Sequence, residues 1–354
     1  MRAVADTPLA PLTTLRLGGP ARRLVEAADD GDLVAAVREA DAAGEPVLVL
    51  AGGSNVVVAD EGFDGTVVRV ATRGVELERG PDGAVVLSVQ AGEPWEAVVE
   101  RAQLERLAGV ECLTGIPGSA GATPIQNVGA YGQEVAAIVT EVRVLDRRTG
   151  AVERLPAAAC GFRYRTSVFK HDDRRVVLGV TFALRPSERS EPIRYAELAR
   201  RLGVRVGDDV PLAEARAAVL DLRRAKGMVV DPADPDSISA GSFFTNPVLD
   251  PSGYAALRER VAERLGAEVS APAFPQADGR TKTSAAWLIE RAGFERGHAR
   301  GPVAISAKHT LALVNRGDAT TAQLVALARE IAAGVEEAFG VRLVPEPVFV
   351  GHRW

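Results

Sequence analysis

The sequence predicts a mixed fold of strands and helices, α+β in class, divided into more than one domain. Short β-branched runs recur at 47–50, 56–58, 67–70, 85–89, 142–145 and 176–184, each the size of a buried or half-buried strand. Stripes of helical period lie between and after them, and a proline-rich break, DPADPD at 231–236, ends the strand-rich part. A chain of 354 residues, 47% of them hydrophobic, can fill two or three cores without disulfide staples.

Taken in order, TTLRLGGP at 13–20 alternates apolar and polar residues and stops at Gly18 and Gly19, which reads as a short strand and turn. Asp30 or Asp32 then caps a helix with Leu33, Val34, Val37 and Ala40 on its apolar face. The strand at 47–50 runs into Ala51, Gly52, Gly53, Ser54 and Asn55, where successive backbone N–H groups can turn toward an anion. A dinucleotide-binding GxGxxG turn would open a helix, whereas the β-branched Val56–Val58 follows here, so a Rossmann unit is excluded. Alone, this motif equally describes a tight turn between strands. Pro94 opens a helix through Trp95, Val98, Val99 and Ala102.

The stretch 110–132, VECLTGIPGSAGATPIQNVGAYG, carries two prolines and a single charged residue, Glu111. It can neither make a good helix nor solvate itself as a linker. Gly115, Gly118, Gly121, Gly129 and Gly132 allow close approach of the backbone, while Gln126 and Asn127 add uncharged donors and acceptors. Such a segment suits a large, polar, planar ligand. Further on, CGFRYRTSVFK at 160–170 mixes aromatics with cations and could clamp a phosphate or carboxylate, or be a half-buried strand with solvated arginines. Tyr195 precedes a helix at 212–226 that Gly227 ends, with Arg223, Arg224 and Lys226 in its last turn. AGSFFTNP at 240–247 puts Ser242 beside two phenylalanines, with no GxSxG elbow to suggest a hydrolase. Helices are expected at 282–292 and 320–339, then a strand at 343–350 holding Glu346 between two prolines, where a carboxylate is either exposed or in need of a partner.

The net charge of −5 and isoelectric point near 5.6 argue against nonspecific binding to nucleic acid. Cys112 and Cys160 form no CxxC and the four histidines no HxxxH, so no metal site is expected. With no apolar run of membrane-spanning length and no leader-like N-terminus, the expectation is a cytoplasmic monomer without a membrane or nucleic-acid partner.

Together, VLVLAGGSNVVVAD, GIPGSAGATPIQNVGAYG, FRYRTSVFK, GSFFTNP and PEPVF, in that order, closely resemble the UDP-N-acetylenolpyruvoylglucosamine reductases across nearly the whole chain. The resemblance implies a vanillyl-alcohol-oxidase-type FAD-binding unit of two α+β subdomains, at 1–75 and 76–226, and a separate substrate-binding domain at 227–354. It implies FAD as cofactor, NADPH as reductant and UDP-N-acetylglucosamine enolpyruvate as substrate, reduced to UDP-N-acetylmuramate for bacterial peptidoglycan. Hydride would pass from flavin N5 to the vinyl methylene, and a proton to the adjacent carbon.

By the same resemblance, Gly52, Gly53, Ser54, Asn55 and Val56 would hold the FAD diphosphate. The rest of the flavin would be lined by Gly115, Pro117, Gly118, Ser119, Gly121, Ala122, Gln126, Asn127, Gly129, Ala130, Tyr131 and Gly132. Arg165 matches the catalytic arginine, Ser242 the proton donor and Glu346 the catalytic glutamate, while Tyr195, Lys226 and Asn246 match contacts to the substrate diphosphate. The Tyr195 segment resembles the form of the family with a tyrosine-bearing loop, and Thr245 departs from the lysine that many members carry. Other readings are a related flavin oxidase, or a flavin- or nucleotide-sugar-binding protein without turnover.

Overall fold

In the computed structural model, which describes residues 2–80 and 83–354, the chain divides into two units. The first comprises residues 1–8, 20–53 and 62–230; the second comprises 9–19, 54–61 and 231–354. The chain thus passes between them at Gly53 and Ser54, inside the first glycine-rich turn.

In the first unit, one sheet is ordered Arg2–Pro8, Pro20–Ala27, Phe63–Val70, Val47–Leu50. Its first pair is antiparallel and the rest parallel. The helix Asp30–Ala42 makes the crossover, its N-terminus capped by the Asp29 carboxylate, which accepts from the Asp32 N–H at 2.8 Å. A second, antiparallel sheet runs Val152–Pro156, Val139–Asp146, Arg175–Pro186, Val85–Gln90, Val75–Arg79. The helix Trp95–Leu104 buries the four apolar residues expected of it, and the Trp95 ring meets Phe182 at 5.6 Å. A smaller core gathers Cys112, Ile193, Leu198, Ala215 and Val219 around the helices Ala196–Leu202 and Leu212–Ala225. Gly227 follows the latter at φ +64°, the left-handed residue its position calls for.

In the second unit, Ser239–Ser242, Ala312–Asn315, Val303–Ile305 and Ala299–Arg300 form an antiparallel sheet, packed against Pro251–Leu265 and Thr321–Phe339. The long helix begins with a reciprocal cap between Thr320 and Gln323 and buries Leu324, Leu327, Ile331 and Val335. Val56–Val58 pairs in parallel with Val348–Val350.

Three local expectations differ from the structure. Asp29, and not Asp30 or Asp32, caps the first helix, because Asp29 keeps an extended backbone one residue before the first turn, from which its carboxylate reaches the Asp32 N–H. The 13–20 stretch is no strand, because the Thr13 hydroxyl bonds both the carbonyl and the N–H of Leu17 and offers the backbone an alternative to a ladder. The C-terminal strand is confined to Val348–Val350, since Pro345 and Pro347 have no N–H to donate.

Candidate functional site

The first unit gathers most of the expected residues. Gly53 turns at φ +58°, and a Cβ at Gly52 would stand 2.6 Å from the Gly118 Cα, so two glycine backbones are pressed together where any side chain would intrude. The next residue, Ser119, is bridged to Pro94, and its hydroxyl is buried without a hydrogen-bond partner. Gly121 donates to the Ala91 carbonyl at 2.9 Å and has no room for a Cβ there. A buried hydroxyl with nothing to bond, beside a wall kept clear of side chains, fits an oxygen-rich ligand such as a diphosphate.

The rest of the 110–132 segment is held by side chains. The Glu96 carboxylate accepts from the Thr114 hydroxyl at 2.7 Å and the Gly115 N–H at 2.5 Å, and Arg216 holds that carboxylate at 2.7 Å. Glu111, only 4% exposed, accepts from the Gly109 N–H at 2.7 Å, the Gln133 amide at 2.9 Å and the Glu191 N–H at 2.6 Å. One carboxylate therefore closes both ends of the segment and secures the loop leading to Tyr195. Beside it, burial and the Glu111 charge push the Cys112 thiol far up, which leaves it inert.

The segment ends in a hairpin, Gly129–Ala130 against Gln133–Glu134, whose two-residue turn is Tyr131 at φ +49° and Gly132 at φ +87°. Both positive angles make it the primed turn that matches strand twist. Tyr131 at the tip meets Tyr195 edge-on at 5.4 Å, and the Lys226 ammonium lies 5.7 Å from its ring centre. Burial raises the Tyr131 phenol to about 12.

Arg165 itself sits at φ +52°, a strained conformation for a residue with a Cβ. Its guanidinium donates to the Gly129 carbonyl at 2.7 Å and the Asn127 carbonyl at 3.4 Å, and the Lys170 ammonium donates to its backbone carbonyl at 3.2 Å. Asn127, 1% exposed at φ +46°, bonds Glu134, the Arg163 carbonyl and the Ala136 N–H. The arginine is thus aimed by two carbonyls of the glycine-rich segment.

The second unit brings together Ser54–Val56, Ser242, Asn246 and Glu346. Ser242 ends its strand opposite Ala312, and the next residue, Phe243, donates its N–H to the Leu311 carbonyl at 2.6 Å while its own carbonyl accepts from the Glu346 N–H at 2.8 Å. A bridge between Phe244 and Pro345 continues this pairing. The Asn55 amide donates to the Glu346 carbonyl at 3.4 Å, and the Asn55 carbonyl accepts from Val348 at 2.9 Å. Phe243, Phe244, Phe349 and Trp354 pack ring against ring behind them. The Asn246 side-chain oxygen Oδ1 accepts from the Ala285 N–H at 2.9 Å, so it fastens the helix Ala285–Arg291. Thr245 bonds the Val344 carbonyl. Among the described residues no group of His, Cys, Asp and Glu could hold a metal, and no helix is long and apolar enough to cross a membrane.

Sequence reasoning missed Glu96, Arg216 and Glu197, whose partners are remote in the chain, and named Arg223 in the last turn of its helix without its contact to Gly115. Glu111 was visible as the single charge in its segment, without its partners.

Residues 21–156 match the FAD binding domain, and residues 232–350 match the C-terminal domain of UDP-N-acetylenolpyruvoylglucosamine reductase. The UDP-N-acetylenolpyruvoylglucosamine reductase of Thermobifida fusca is 59% identical, over 98% of this chain and 97% of that protein. The chain belongs to the UDP-N-acetylenolpyruvoylglucosamine reductase family. A second relative of that name, from Streptomyces coelicolor, is 60% identical over 98% of this chain and 90% of its own. The solved reductase of Thermus caldophilus aligns over 99% of this chain and 98% of its own at TM-score 0.66 and 24% identity, a likeness of fold. Family membership bears out the α+β class with an FAD-binding unit and a separate C-terminal domain.

Proposed function

We propose that this chain reduces UDP-N-acetylglucosamine enolpyruvate to UDP-N-acetylmuramate, with FAD as cofactor and NADPH as reductant, in the building of bacterial peptidoglycan. Segments 1–75 and 76–226 hold the flavin, and 227–354 the substrate. The observation that carries this reading is the strand pairing that joins Ser242 and Glu346, remote in sequence, through the Phe243 carbonyl. The match to an FAD binding domain over 21–156 supports the cofactor, and the cleared wall of Gly52 and Gly118 with the unpartnered Ser119 hydroxyl suits its diphosphate. Ser54, Asn55 and Val56 complete that turn.

Bound FAD supplies the hydride chemistry, accepting from NADPH and giving to the vinyl methylene. Arg165 binds the enolpyruvyl carboxylate, always charged and able to present two donors, and so polarises a carbon that is otherwise not electrophilic. Hydride on the methylene builds negative charge on the neighbouring carbon and its carboxylate in the transition state, where the guanidinium, already oriented by Asn127 and Gly129, costs no reorganisation. Ser242 gives its proton to the same carbon. A serine hydroxyl is a weak acid, so it acts at close range on a strongly basic centre. Glu346 orients or protonates the enol. Lys226 and Asn246 bind the substrate diphosphate, and the segment bearing Tyr195 closes over it in the manner of the tyrosine-loop form.

The test is an anaerobic absorbance trace of the purified, FAD-loaded protein. Bleaching of the flavin by NADPH and its recovery when the enolpyruvyl sugar nucleotide is added are expected. Bleaching without recovery rejects the substrate, and a protein unable to take up FAD rejects the whole reading.

A further inference from the structure

Lys226 and the residues around it form a cationic corner of the first unit. The Lys226 ammonium, about a third exposed, lies 2.5 Å from a Glu197 carboxylate oxygen and against the Tyr131 ring. Arg223, one helical turn earlier, donates to the Gly115 carbonyl at 3.2 Å and the Met228 carbonyl at 2.8 Å, while its Nε is buried with no partner. No carboxylate forms an ion pair with Arg223 among the described residues, and burial pulls its guanidinium down to about 10. The Lys226 ammonium therefore lies against the Tyr131 ring with Arg223 one turn away on the same helix, and Glu197 is the one acid among the described residues in salt-bridge contact with either cation.

We propose that Glu197 sets the affinity of this site for phosphate-bearing nucleotides: its carboxylate stands in for a phosphate on Lys226 and must yield the ammonium to the incoming ligand. The inference rests on the reading of Lys226 as a diphosphate contact. A carboxylate and a diphosphate oxygen compete for the same N–H donors, and an ion pair about a third exposed is cheap enough to exchange. Glu197 is placed for that exchange at the second position of the Ala196–Leu202 helix, next to Tyr195, so movement of the Tyr195 segment and release of Lys226 are one event. The contact weakens every phosphate-bearing ligand alike. That suits a protein whose reductant and substrate both carry phosphates and must each leave within a cycle.

The test uses the full-length, FAD-loaded protein and UDP as probe, titrated by calorimetry. Glu197→Gln keeps the shape and removes the competing charge, and UDP then binds about three- to tenfold tighter. Glu197→Asp, too short to keep the contact, shifts affinity in the same direction and guards against a glutamine-specific artefact. Lys226→Met weakens binding, and adding Glu197→Gln to it restores nothing, since the gain passes through the ammonium. In steady state Glu197→Gln lowers KM for NADPH and for the sugar nucleotide more than it changes kcat. Unchanged or weaker UDP binding in Glu197→Gln, with flavin content and thermal midpoint as in the parent, overturns the proposal. So does a gain that survives Lys226→Met. A parent protein that binds UDP but never oxidises NADPH with the enolpyruvyl sugar nucleotide sinks the functional reading while leaving the UDP titration readable.

Discussion

The 110–132 segment and the region around Ser242 position their residues by different means. Around Ser242 the backbone does it: main-chain hydrogen bonds join Phe243 to Leu311 and to Glu346, and Val348 to Asn55, with an aromatic cluster behind. The glycine-rich segment has little ladder of its own, and side chains hold it in place: Glu96 from outside, and its own Glu111 and Asn127 through partners beyond its ends. Side chains on a ladder can be exchanged without disturbing their neighbours' bonds. An anchor cannot be removed without freeing every donor it satisfied.

The comparison can be broken in four ways. The largest effect is expected on the ladder side, where Ser242→Ala should slow substrate reduction by about 10²–10⁴-fold with stability and flavin reduction by NADPH unchanged. Rapid-mixing absorbance separates the two half-reactions, and a loss of stability would show that the ladder depends on that hydroxyl. On the anchor side, Glu111→Ala leaves one buried and two half-buried donors without their acceptor and should cost about 2–4 kcal/mol in denaturant unfolding, with flavin retention falling alongside. A stable, flavin-loaded Glu111→Ala protein would mean that the segment holds itself.

Gly52→Ala tests the wall rather than the anchors. The new methyl would stand 2.6 Å from the Gly118 Cα, so the backbone must give: flavin affinity should drop by about tenfold or more, and stability to unfolding by about 1–3 kcal/mol. Full flavin occupancy after dialysis would argue against that wall as the cofactor's place.

The smallest effect comes from Asp146, an anchor at a ladder end. It accepts from the Arg174 guanidinium and from the Arg148 and Thr149 N–H groups, and chiefly the Arg174 bond holds its carboxyl down at about 2. Because the folded value lies below the usual 3.8, this contribution to stability is complete above that pH and lost as pH falls through about 2. The thermal midpoint of the parent should exceed that of Asp146→Asn at pH 6, and the gap should close toward pH 2. A gap independent of pH would assign Asp146 a purely steric role.

Much of this was legible in the sequence because it is local. Trp95, Val98, Val99 and Ala102 share a helix face through the 3.6-residue period, and Gly227 stops a helix by its own left-handed preference. The ordered motifs and the unsuitability of 110–132 for helix or linker were likewise plain. What no period could show was the partner of a charge. Glu96 and Arg216 each look like a solvated helix residue, as do Glu197 and Lys226, until tertiary structure sets them at hydrogen-bond distance.

By itself, then, the sequence determined strands such as 47–50 and 56–58, the helices around Trp95, Leu212 and Leu324 with the glycines that stop the last two, and which stretches could not be regular, since these follow from backbone preference and burial period over a few residues. Tertiary structure alone decided that Ser54–Val56 leaves its neighbours to pair with the strand after Glu346, and that one buried carboxylate closes the glycine-rich segment. Those choices depend on which distant groups satisfy one another's hydrogen bonds, and that is settled only when the whole chain is packed.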